Sequence, residues 1–169
     1  MFRMTFLRWR TRAALRKNKS LRASIPYAQA QSFGLLFTVE DTQKHQEVKN
    51  LLRLLHQDGK RAEVLEFLPR KKENPEFMFD FFSPQDVSVW GDITSDKAID
   101  FANKPFDYIF YLDEAPNPHL LYLLARSKAH CRVGRHMPAC EPYFEMMIEH
   151  AGTIRGLLDN MLKYTRQLK

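Results

Sequence analysis

Four side chains able to hold a soft metal, His130, Cys131, His136 and Cys140, fall within eleven residues. Structural zinc is usually held by two close ligand pairs on tight knuckles. Adjacent residues on a strand point to opposite faces, so His130 and Cys131 do not easily share one ion. The expectation is a buried Cys131 beside exposed histidines, and no metal ligand is assigned. Asp107, Asp113 and Glu114 lie at the two ends of the strong later strand, Phe106 to Leu112. Carboxyl ends of strands are where open α/β sheets bind ligands, which makes Asp113 and Glu114 a possible acid pair, but a solvated loop acid is the more ordinary reading. No catalytic residue is assigned.

A dinucleotide needs glycines at the first strand-to-helix turn, so that backbone can approach the pyrophosphate. Here that turn is Thr38-Val39-Glu40-Asp41-Thr42-Gln43, with no glycine and two acids. No Gly-Lys-Ser/Thr phosphate loop and no Gly-x-Ser-x-Gly elbow is present. No cofactor and no small-molecule substrate follow from these residues. Trp90 and the cluster Phe77 to Phe82 could stack on bases, yet the stretch from Phe77 to Trp90 has no Lys or Arg, and core packing is the expected role.

Charge is the stronger signal. The 169 residues carry a net charge of +6. Residues 1–24 hold Arg3, Arg8, Arg10, Arg12, Arg16, Lys17, Lys19 and Arg22 with no acid, and the first acid is Glu40. The rest of the chain is slightly acidic, so a polyanionic partner is expected at the basic arm. Arginine forks two N–H donors onto one phosphate, and Arg8, Arg10, Arg12, Arg16, Lys17, Lys19 and Arg22 are the expected nucleic-acid contacts. The arm has no Pro or Gly, so helix is permitted. On a wheel Phe2, Phe6, Trp9 and Ala13 share one side, while Met4, Leu7 and Leu15 spoil the other. Without one clean apolar face the arm is expected to pack little on the core. The aromatic stripe also suits an anionic membrane surface, and an acid-free Arg-rich start suits an organellar transit peptide.

Ile25-Pro26 breaks any helix, dividing a basic arm, residues 1–25, from a single α/β domain, residues 26–169. Ser32 to Val39 is a continuous apolar run, the habit of a strand buried on both faces of a parallel sheet. Asp41 or Thr42 then caps a helix with Val48, Leu51, Leu52 and Leu55 inward, closed by Asp58-Gly59. Ala62 to Leu68 is the next strand. Phe77 to Phe82 and Val87 to Trp90 read as a meander or edge excursion. A helix from Ser95, a strand from Phe106 to Leu112, a helix from Leu120 to Ser127, strands at Arg132 to Gly134 and Tyr143 to Ile148, and an amphipathic helix from Thr153 complete the chain. The expected fold is a Rossmann-like three-layer sandwich with a mostly parallel sheet of about five strands. No run is long enough to span a bilayer; a cytoplasmic protein with reduced cysteines is expected.

Asp86 to Gly91 (Asp-Val-x-x-x-Gly), the Phe-Asp strand at Phe106-Asp107, and Ala129 to Gly134 (Ala-x-x-x-Val-Gly) resemble, in order and spacing, an uncharacterised family of short Bacteroidota proteins known only as a domain of unknown function. The same strand, helix and Val-Gly turn are similar to the acceptor half of heptosyltransferase-like glycosyltransferases. That resemblance implies a Rossmann-like layout with the nucleotide-binding half missing, and no catalytic residue comes with it. The leading expectation is a non-enzymatic module that binds RNA or the ribosome through its arm. A peripheral membrane protein held on anionic lipid, or a degenerate glycosyltransferase-like domain, is the alternative.

Overall fold

Ser32–Thr38 forms β1, and the apolar residues from Phe33 to Phe37 are all buried, as a strand covered on both faces must be. The computed structural model describes residues 2–169. The other strands are β2 (Arg61–Phe67), β3 (Asp80–Phe82), β4 (Tyr108–Tyr111), β5 (Cys131–Arg135) and β6 (Met146–Ile148). They form one six-stranded sheet in the order β3-β2-β1-β4-β5-β6, with every pair parallel. The helices are α1 (Phe2–Lys17), α2 (Thr42–Gln57), α3 (Asp96–Asn103), α4 (Pro118–Arg126) and α5 (Ile154–Arg166).

Strand alternation divides the core into two layers. Phe33, Leu35 and Phe37 of β1 and Tyr108 and Phe110 of β4 face α2 and α5, with Val48, Leu51, Leu157 and Met161. Leu36, Ile109 and Tyr111 face α1, α3 and α4, with Leu7, Phe101, Leu120 and Leu123. Gly34 belongs to the second layer by its lack of a side chain. A Cβ there would lie 2.8 Å from the Phe101 ring, so α3 approaches the sheet more closely than alanine allows. Asp107 pins the entry of β1 to β4 by accepting from the backbone N–H groups of Gln31 and Ser32 at 2.7 and 3.0 Å. Burial opposes its charge, but these bonds, with that of the Ser32 hydroxyl, outweigh it and hold the carboxyl below its ordinary range.

The expected sandwich is present, with six strands rather than about five. The edge excursion resolves into β3, three residues paired with β2, and a turn closed by the antiparallel bridge Val87–Ile93. Core packing holds for only part of the aromatic cluster. Phe82 is buried against Phe67, while Phe77, Met78 and Trp90 are exposed.

The N-terminal segment departs most from expectation. Residues 2–17 are helical and docked, with Leu7 fully buried and Met4, Thr11 and Ala14 beside it on the same face. This is the face that the sequence presents as spoiled, and the aromatic stripe points outward instead. Apolar residues occupy both sides of the helix, so periodicity alone cannot say which side docks. The seat decides it. Gly91 adopts φ +77°, and a Cβ there would lie 2.6 Å from the Leu7 backbone nitrogen. Asn18, just beyond the helix, donates to the carbonyls of Ala125 and Ser127 at 3.0 and 2.9 Å, satisfying groups that the end of α4 leaves open. Ala23 continues the attachment, its N–H donating to the His130 carbonyl at 2.9 Å. Among the described residues, no helix is long and apolar enough to cross a membrane.

Candidate functional site

Docking sorts the seven predicted nucleic-acid contacts into two groups. Arg10 donates from Nε to the Trp90 carbonyl at 2.7 Å and pairs with Asp92 at 2.7 Å. Arg22 donates to the Ala129 carbonyl and lies 3.7 Å from Glu145. Both fasten the segment to the domain. Arg8, Arg12, Arg16, Lys17 and Lys19 are exposed, and among the described residues none of their side chains has a hydrogen bond or ion pair. They are set around the outward ridge of α1, where Phe2 and Trp9 are 76% and 62% exposed. Phe6 meets the exposed Trp90 edge to face, ring centroids 5.6 Å apart. The result is a rigid helix that displays unpaired cations beside bare aromatic rings. Sequence reasoning found the cations and the stripe. It weighed Trp90 as a stacking ring but expected it in the core, and did not foresee its place beside α1, reached from a turn some eighty residues away.

A groove of about 540 Å³ runs between α1 and the layer beneath it, lined by Trp9, Ala13, Lys17, Asn103, Tyr122 and Arg126 among others. The Arg126 guanidinium lies over the Tyr122 ring, 5.5 Å from its centroid. Among the described residues, no acid lines this groove.

The second place to look is the crevice at the carboxyl ends of β1 and β4. Strand order reverses there, and open sheets bind ligands at such points. Asp113 lies in it but is no solvated loop acid. It is 2% exposed and accepts from the Thr38 N–H at 2.8 Å, the Thr38 hydroxyl at 2.5 Å and Lys44 Nζ at 2.6 Å. Asn117 donates to the Thr38 hydroxyl oxygen at 2.7 Å and caps α4. Asp41 caps α2 by accepting from the Lys44 N–H at 2.8 Å. The donors of Thr38 and Lys44 are thus committed to Asp41 and Asp113 rather than open to a phosphate. Glu114 does not join Asp113 as an acid pair; its carbonyl accepts from Arg135 at 3.0 Å. Beside the crevice His119 stacks on Phe67 at 4.4 Å, and burial lowers its pKa to about 4, so it is neutral at pH 7.

The cysteines and histidines do not converge. Cys131 lies in the layer of α2 and α5, Cys140 in the opposite one, and both are free. His136 reaches outward to Glu149 at 2.7 Å.

Glu66 of β2 is fully buried, with one oxygen accepting from Asn74 at 3.2 Å and the other without a partner among the described residues. Burial raises its carboxyl to about 7, against which the Asn74 bond is the smaller influence. The folded chain therefore keeps a proton that the unfolded chain loses near 4.5. The contribution of Glu66 to stability is fullest below that value and falls as pH rises toward about 7, by at most about 1.4 kcal/mol per pH unit. Urea unfolding across this window is expected to show the fall, and Glu66→Gln to remove this component of it. An unchanged profile in the variant would show that Glu66 ionises normally.

The strand order 3-2-1-4-5-6 with helices on both faces defines an open, doubly wound α/β protein of Rossmann-like layout. The chain belongs to a family of unknown function, DUF6913, whose model matches residues 3–168. Docked α1, apart from Phe2, thus falls within the family's span. No curated protein and no solved structure matches the chain.

Proposed function

We propose that this protein is a non-enzymatic module that binds RNA, free or in the ribosome, through the outward face of α1. The observation that carries this reading is the set of five cations left unpaired among the described residues, Arg8, Arg12, Arg16 and Lys17 on docked α1 and Lys19 just beyond it. Unpaired surface cations release counterions when they meet phosphates. A helix already fixed by Leu7, Arg10 and Asn18 loses little further freedom on binding. A cytoplasmic location, a bacterial origin and kinship with the acceptor half of heptosyltransferase-like enzymes belong to the same proposal and bring no residue into this site.

Binding of the full chain to single-stranded RNA is expected to weaken with salt, with a slope of log affinity on log salt of about −3.5 for five phosphates at roughly 0.7 counterions each. Changing Arg12 and Arg16 to Ala should flatten that slope by about 1.4. Arg10→Ala and Arg22→Ala should instead lower the melting temperature, because those two hold the helix down. A slope near zero would refute the proposal.

The exposed ridge of Phe2, Trp9, Val89 and Trp90 favours a second reading, adsorption to anionic lipid, where aromatic rings enter the interface beside basic residues. In that case Phe2→Ser with Trp90→Ser abolishes vesicle binding, and RNA is ignored at low salt.

A further inference from the structure

We infer that the groove between α1 and α4 is a nucleotide subsite for single-stranded RNA, in which one base stacks on Trp9 while flanking phosphates meet Lys17 and Arg126. The inference rests on the RNA reading above and adds that the strand is held by a base as well as by charge. Three features carry it. The groove, about 540 Å³, falls in the usual range of ligand sites. Its lining pairs an exposed indole with cations and, among the described residues, has no acid, so its charge complements a phosphate backbone. Arg126 is held over Tyr122, with Nη1 3.4 Å from the Tyr122 hydroxyl, so its guanidinium is pre-oriented at the groove wall. Asn103 is exposed at the groove and, among the described residues, has no side-chain hydrogen bond, which leaves its amide free for the edge of a base. A lipid surface meets the ridge but does not fill a recess with these polar walls, whereas a flat base does.

The test uses the full chain with Trp90→Phe, which leaves Trp9 as the one indole. The probes are an oligoadenylate of about 12 nucleotides, within usual single-strand site sizes, its RNA duplex, heparin, and vesicles of phosphatidylglycerol and phosphatidylcholine. The oligoadenylate is expected to quench Trp9 emission by about half or more, the duplex and heparin much less, since neither offers an unstacked base. Trp9→Ala should weaken oligoadenylate binding about 10-fold and leave heparin binding within about twofold. Arg126→Gln should weaken the oligoadenylate about 3-fold or more, with an unchanged melting temperature as the control for folding. Equal binding of oligoadenylate, duplex and heparin without quenching would overturn the subsite and leave the charge-based RNA reading standing. Binding to none of the polyanions, or to vesicles alone, would overturn both.

Discussion

Leu7→Ala is expected to destabilise the protein by about 2–5 kcal/mol, the usual cost of emptying a fully buried leucine site. The expectation follows from Leu7 being entirely enclosed, with Met4 and Ala14 packed beside it. The site cannot easily collapse around the smaller side chain, because the Leu7 backbone already presses on Gly91 and Arg10 ties the same helix to Trp90 and Asp92. In a domain of this size the loss corresponds to a fall in melting temperature of about 4–20 °C. Trp9→Ala, two residues away on the exposed ridge, should shift stability by no more than about 0.5 kcal/mol. Urea and thermal unfolding of the two variants side by side make the check. A Leu7→Ala change below about 0.5 kcal/mol would mean that α1 is not part of the core in solution.

Asp113→Ala should cost about 3–5 kcal/mol, because it strands a buried ammonium. Lys44 is 2% exposed, and Asp113 is its buried partner at 2.6 Å. Its other carboxylate, Glu40 at 2.8 Å, is half in solvent and recovers part of the loss, which places the cost toward the lower end of that range. Thr38 loses the acceptor for both its N–H and its hydroxyl. Lys44→Met alone leaves the carboxylate with neutral donors, those of Thr38 among them, and should be similarly damaging. The double variant, with both charges gone, should be more stable than the two single costs added together imply, giving a coupling energy within the range of about 0.5–3 kcal/mol seen for paired neighbours. Additive costs in that cycle would contradict a direct interaction.

How much of this was legible in the sequence depends on how local each cause is. The apolar run Phe33 to Phe37, the Asp41 cap and the strand through Phe110 announce themselves within a few residues. Asp113 did not, since its burial depends on Lys44, 69 positions away. The same distance problem hid the split among the basic residues. Arg10 and Arg12 look alike in the sequence, but only Arg10 finds Asp92 and the Trp90 carbonyl. The face by which α1 docks was unreadable for a related reason, since its seat at Gly91 is a left-handed turn that only the folded chain brings to it.

The attachment of α1 also sets an order of events in synthesis. Its anchors at Trp90, Ala125 and Ser127 follow Arg10 and Asn18 by 80 to 109 residues. At translation speeds of about 5–20 residues per second, the segment waits roughly 5–20 s for them. Until they emerge, Leu7 and Met4 are as bare as Trp9, and the nascent chain carries an Arg-rich segment with no apolar side chain covered by its seat. Contacts this distant in the chain close slowly, so docking of the helix is a late step in folding, completed by residues made well before their partners.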